Sequence, residues 1–203
     1  MLYSRIYAQT NNAFEFKDLV AAKIIKGDVF NPQQFQIDLK NQKINADTYG
    51  HLSFGALKKS IVFENGFHAQ KIHFFDAGNQ LIIFFEVTDD ETSFNEVYCI
   101  DKQTLKTIWK NKLQSFNLTV GQAEKGNLYL GAGEDCYDLD ITTGKILWHT
   151  AGLYFKYGFN YFDAIAIANN EIRLTGKSSS KGKKDEIKTA ILNKKDGRIL
   201  MVR

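Results

Sequence analysis

Four histidines (His51, His68, His73 and His149), two cysteines (Cys99 and Cys136) and one acidic group (Glu134, Asp135, Asp138 and Asp140) are the residues here whose types could hold a metal or move a proton. Their spacing argues against both. His68 and His73 stand five residues apart in what reads as extended chain, and an odd separation sends the side chains to opposite faces of a strand. Alternation puts Asp138 and Asp140 on one face, but calcium takes about six to eight oxygens from a loop that wraps the ion. Asp140 also has a turn to hold. No HExxH, paired CxxC, GxSxG or P-loop pattern is present. The expectation is a protein that is not an enzyme, with no catalytic, cofactor-binding or metal-binding residue to assign. Cys99 and Cys136 lie just ahead of Asp101 and Asp140, where each faces a sheet interface as a small hydrophobe rather than joining a disulfide.

The other chemistry available is recognition. Tyr154, Phe155, Tyr157, Phe159, Tyr161 and Phe162 form the densest aromatic stretch. Most of it is expected to pack in a core. The chain around Gly158, however, falls between two repeat units, where a connecting loop reaches the surface, and aromatic rings with polar tips suit protein interfaces. Tyr154, Tyr157, Phe159 and Tyr161 are therefore the expected centre of a partner-binding surface. Asp89, Asp90 and Glu91 would form its acidic rim, and the loop Lys177–Lys188 a basic one.

The elements that must position these residues are hairpins. Cys136 to Trp148 reads as a strand ending on Asp140, a turn through Thr142, Thr143 and Gly144, and a second strand ending on Trp148. The same frame recurs from Val97 to Trp109 around Asp101, from Phe35 to Ile44 around Asp38, and from Ala190 to Leu200 around Asn193. Ahead of three of these lie further apolar pairs, turned at Asp76–Asn79, Glu124–Asn127 and Asn169–Asn170, where Gly and Asn tolerate a positive φ. A supersecondary unit repeated four times implies a repeat architecture. With about four short antiparallel strands, each unit has the make-up of a propeller blade. The anchors at 38, 101, 140 and 193 are separated by 63, 39 and 53 residues. The long first interval holds Thr48–Phe54 and Ser60–Gly66, either an insertion or a degenerate fifth unit. Residues 12–27 read as a helix between Asn12 and Gly27 or as a strand from Leu19 to Ile25, with the strand preferred because the Asp38 hairpin needs an inner partner.

The 203 residues fit one domain, and 16 Phe, 9 Tyr and a single Pro favour pleated structure. A net charge of +3 is too small to argue for nucleic acid. No run of apolar residues is long enough to span a bilayer, and the first residues lack the basic start and apolar core of a signal peptide. A cytoplasmic protein is the expectation.

Tyr137 to Asp140, Thr143, Gly144, Lys145 and Trp148 together resemble the repeat of quinoprotein-type β-propellers. Asp101 and Trp109 match it with Gln103, Thr104 and Leu105 in the turn, while Asn193 with Asp196 and Gly197 keeps the turn and loses both Asp and Trp. The resemblance covers roughly residues 70–203 well and 28–45 weakly. It implies an all-β, propeller-like repeat fold of about four to five four-stranded blades, with each Trp plugging the gap between neighbours. The enzymes of that family carry calcium and quinone, for which no ligand set is found here. The functional expectation is a non-catalytic protein-binding module, in its narrower form a bacterial immunity protein that binds and neutralises a toxin one-to-one. The alternatives are a quinone- or calcium-binding propeller and a scaffold propeller.

Overall fold

Alternation of apolar and polar side chains, broken by turns rich in Gly, Asn and Asp, gives strands almost throughout. The computed structural model describes residues 18–27, 31–39, 42–63, 68–88, 92–178 and 186–203. An extended N-terminal segment holds β1 (Val20–Ala21) and β2 (Lys23–Lys26). The first sheet contains β3 (Gln34–Leu39), β4 (Gln42–Asp47), β5 (His51–Phe54) and β6 (Leu57–Ser60). The second contains β7 (His68–Ala77), β8 (Gln80–Thr88), β9 (Ser93–Asp101) and β10 (Thr107–Leu113). The third contains β11 (Leu118–Glu124), β12 (Asn127–Ala132), β13 (Asp135–Asp140) and β14 (Ile146–Thr150). A single helical turn, α1 (Leu153–Tyr157), leads to the fourth: β15 (Phe159–Ala168), β16 (Glu171–Ser178), β17 (Glu186–Asn193) and β18 (Ile199–Val202). Each set of four consecutive strands is an antiparallel meander, with β2 added to the first sheet at β3 and β1 to the second at β7, so the fold is all-β and propeller-like, with four blades among the described residues.

Position in the array decides which strands read as alternating. In the first blade Phe35, Ile37 and Leu39 are buried while Gln34 and Asp38 are exposed, because among the described residues only one face has a neighbouring blade. In the second blade, Leu81 to Val87 and Phe94 to Ile100 are buried without interruption, because neighbours cover both faces. Three apolar cores result. Phe35, Ile37, Phe74 and Phe85 lie in the core between the first and second blades. Phe84, Val97, Leu130 and Tyr137 lie between the second and third, and Phe159, Phe162, Leu174 and Leu192 between the third and fourth.

Two sequence expectations shift. The hairpin around Asp38 is not a copy of the hairpins around Asp101, Asp140 and Asn193. Its strands β3 and β4 are the inner pair of the first blade, and Asp38 is a solvated strand residue opposite Lys43. The outer pair, β5 and β6, comes from Thr48–Ser60, so this stretch is neither an insertion nor a fifth unit. The strand preferred over a helix in residues 12–27 is present from Val20 to Lys26, but its role is wider than partnering one hairpin. Leu19 N–H donates to the Gly121 carbonyl of β11 (3.0 Å), Val20 and Ala21 pair with Phe74 and His73 of β7, and Lys23 and Ile24 pair with Gln36 and Phe35 of β3. One segment thus satisfies backbone groups on the inner strands of three blades, edges that would otherwise stay open. The pairing of Met1–Ala8 with the last blade, expected of a closed ring, lies outside the described residues.

The Trp-and-turn frame performs the expected joining. Asp101 Oδ1 accepts from Thr104 N–H (2.8 Å), Asp140 Oδ1 from Thr143 N–H (2.7 Å) and Asn193 Oδ1 from Lys195 N–H (2.8 Å). The turns close at Leu105, Gly144 and Gly197, all with positive φ. Trp109 of the second blade lies on Gly144 of the third, and Trp148 of the third lies on Gly197 of the fourth. A Cβ would come within 2.3 Å and 2.4 Å of the two indoles. Their ring N–H groups donate to the carbonyls of Ile141 (3.0 Å) and Lys194 (3.1 Å). At Leu105, where β6 of the preceding blade brings no tryptophan, a buried leucine replaces the glycine. At the matching register of β18 stands Met201, half exposed. Cys99 and Cys136 are free, buried thiols, as expected of small hydrophobes, and burial pushes the Cys99 thiol up to about 12.

Candidate partner-binding site

The connection from β14 to β15 is short, and two left-handed glycines shape it. Gly152 (φ 75) opens α1 and Gly158 (φ 79) closes it, with the Gly158 N–H donating to Tyr154 O at 2.6 Å. A one-turn helix has little stability of its own, so tertiary bonds must hold it. Leu153 is fully buried and its N–H donates to Glu134 O (2.9 Å), while Gly152 N–H donates to Asp135 Oδ1 (3.1 Å). The two residues that follow Leu153 point outward: Tyr154 is 46% and Phe155 82% exposed. Across from them Phe116, 53% exposed, sits in the link between β10 and β11. The next residue is anchored, since Asn117 N–H donates to the buried Glu86 carboxylate (2.9 Å) and the Gly133 N–H donates to Asn117 O (3.0 Å). Between these aromatics lies a cleft of about 310 Å³, walled by Phe159, Asn160 and Gly133, with Glu134 as its one charged group among the described residues. That volume is at the lower end for a ligand pocket and suits a single side chain.

Beneath the helix Asp135 gathers a buried polar network. Its Oδ2 takes hydrogen bonds from Ser115 Oγ and Tyr137 OH (3.3 Å) and contacts His149 Nε2 at 3.0 Å, while the His149 ring stacks on Tyr137 at 4.2 Å. Burial pushes the Asp135 carboxyl upward, but the bonds from His149, Ser115 and Gly152 together outweigh it and hold the group below its usual range. Ser, His and Asp therefore meet, which the sequence did not reveal, since they stand on three different strands or links. The order is wrong for nucleophilic catalysis. The carboxylate lies between Ser115 and His149, whereas an activated serine needs the imidazole against its own hydroxyl. The network holds α1 in place.

The expected site residues divide. Tyr154 lines the cleft, whereas Tyr157 and Tyr161 are half-buried and are not among its lining residues; they lie under Lys156 (5.4 Å) and Lys177 (6.0 Å) respectively. Phe159 is fully buried in the third core and forms the cleft wall rather than a surface contact. Asp89, Asp90 and Glu91 lie outside the described residues, as do 179–185 of the basic loop. Phe116 and Glu134 line the cleft and are not singled out for it by the sequence. Phe116 is a lone aromatic ahead of Asn117, with no periodic signal, and Glu134 was grouped with acids that the strands scatter. Asp140 goes to its turn, and Asp138 is held by Asn127 Nδ2 at 2.9 Å.

Asp138 gives a pH prediction. Burial first, then the charge of Asp140, raise its carboxyl to about 6 against the opposing hydrogen bond from Asn127. A raised folded-state value means its contribution to stability is fully present below the unfolded value of about 3.9 and is lost as pH rises through about 6. Asp138→Asn is therefore expected to stabilise the protein by about 1–2 kcal/mol at pH 7.5 and little at pH 4. Urea unfolding at the two pH values checks this, and equal effects at both would contradict it.

Neither a comparison with protein-family models nor one with curated proteins finds a match for the chain. Among solved structures, the computationally designed Ika8 protein aligns with a TM-score of 0.51 at 13% identity, over 83% of this chain and 48% of that one. The likeness is one of fold. This chain thus spans about half the length of that designed protein. BamB from Moraxella catarrhalis aligns over 90% of this chain and 78% of its own, at 12% identity and a TM-score of 0.31. Among the described residues no helix is long and apolar enough to cross a membrane.

Proposed function

We propose that this chain is a non-catalytic protein-binding module whose contact surface is the aromatic cleft beside α1. The observation that carries the reading is the convergence of three exposed aromatics from two separate links, Phe116 from one and Tyr154 and Phe155 from the other, around one concavity. Large rings at a cleft are the residues that anchor protein interfaces, and exposing them has no benefit to the fold itself. The links that bear them are pinned by Asp135, Glu86 and Asn117, so little ordering entropy is lost on binding. Tyr157, Tyr161 and the basic residues Lys156, Lys177 and Lys188 supply a more polar surround.

The narrower form is a cytoplasmic bacterial immunity protein, acting stoichiometrically on a toxin. It is tested by capture from the native cell followed by an inhibition titration. Inhibition that saturates at one-to-one supports it. Capture of no protein, together with tight uptake of calcium or a quinone, would favour the cofactor-binding alternative implied by the family resemblance.

A further inference from the structure

Among the described residues, the lining of the cleft beside α1 combines an acid with an aromatic rim and holds no base. Glu134 is its sole charged group, and its Oε2 is buried with no hydrogen-bond partner among the described residues. Glu134 as a whole is only partly buried, so the unpaired Oε2 carries a modest desolvation cost, which a cation brought to it recovers. Lys188 donates to Tyr157 O (3.3 Å), and Lys71, which donates to Asn117 Oδ1 of the cleft lining (3.3 Å), has its charge paired with Glu86 (3.5 Å). At the mouth stand Phe116, Tyr154 and Phe155, the latter two edge-to-face with ring centroids 5.3 Å apart. Ring faces attract cations, and the methylene stems of Lys and Arg pack on apolar surface while carrying the charge inward.

We propose, resting on the protein-binding reading above, that the cleft receives a protruding arginine or lysine side chain of the partner, its cation at Glu134 and its stem along Phe116, Tyr154 and Phe155. Burial first, then the negative charge of Asp135, push the Glu134 carboxyl above its usual range, which fits a group short of a counter-charge. An acidic side chain would add repulsion. A neutral aliphatic one would strip more water from Glu134 without pairing it.

The test titrates N-acetyl-arginine methylamide and N-acetyl-lysine methylamide into the ¹⁵N-labelled full chain, following the amides of Gly133, Glu134 and Asn160. N-acetyl-norleucine methylamide and tetramethylammonium serve as controls. Saturable shifts with the basic amides are expected, at least tenfold weaker with norleucine, with tetramethylammonium and in Glu134→Gln. Thermal melting of the variant should be unchanged, and Phe155→Leu provides a second variant that leaves the charge in place and should weaken binding less. Norleucine binding as tightly as arginine, tetramethylammonium binding more tightly than the amides, or no saturable shift with any probe would each overturn the proposal. The titration needs no partner protein. Arginine binding by a chain that captures no protein would sink the protein-binding reading while leaving the cleft's preference for a basic side chain standing, and a captured partner held equally well by Glu134→Gln would sink this inference alone.

Discussion

Replacing Trp109 by alanine is expected to cost about 3–5 kcal/mol of unfolding free energy. The indole is 9% exposed, fills the core between the second and third blades and donates to Ile141 O. Truncation removes its contacts, opens a cavity and leaves a buried carbonyl unpaired. Trp148→Ala should follow the same logic with a smaller loss, about 2–3 kcal/mol, because that ring is only partly buried. The coupling between ring and turn gives a sharper test. Gly144→Ala meets both a left-handed φ of 72 and the Trp109 ring, and should cost about 2–4 kcal/mol in the native background. In the Trp109→Ala background the steric conflict is gone, and only backbone strain of about 1 kcal/mol remains. Urea denaturation of the four proteins measures the cycle. Additive costs, or a Trp109→Ala loss no larger than that of Val62→Ala at a position 87% exposed, would mean that the indole does not join the blades.

Much of this joinery was readable in the sequence because it depends on local chemistry. An Asp or Asn that accepts turn N–H groups, a glycine four residues later and a tryptophan beyond it sit at fixed offsets, so the pattern survives in one dimension. The first blade shows where such reading ends. Phe35 to Ile44 has the same strand, acid and strand, but inner and outer hairpins differ only in their neighbours, and β2 alone reveals that β3 is an inner strand. Leu19 to Lys26 could be told from a helix only weakly, because its partners are three strands from three blades. The site was legible in part for the same reason. The aromatic run advertised itself through density, yet which rings face outward depends on the two left-handed glycines around α1. Phe116 and Glu134 reach the cleft from links far away in sequence. Ser115, Asp135 and His149 likewise carry no local signature, since their meeting follows from blade stacking.

The second large effect concerns binding. Removing the exposed rings should abolish partner affinity while leaving the fold intact, since Phe116, Tyr154 and Phe155 contribute little to the three cores. The triple change Phe116→Ala, Tyr154→Ala, Phe155→Ala is expected to cost several kcal/mol of binding, about 4 or more if each ring acts as an interface anchor. Its effect on stability should stay within about 1 kcal/mol. Tyr157→Ala with Tyr161→Ala, both half-buried and outside the cleft lining, should weaken binding less and stability more.

Isothermal titration of the captured partner into the wild-type chain and the triple variant, with melting curves for both, tests the central claim most directly. The account predicts one-to-one saturation for the wild type, at least a hundredfold weaker binding for the variant, and superimposable melts. A variant that binds as tightly as the wild type would show that the aromatic cleft is not the contact surface.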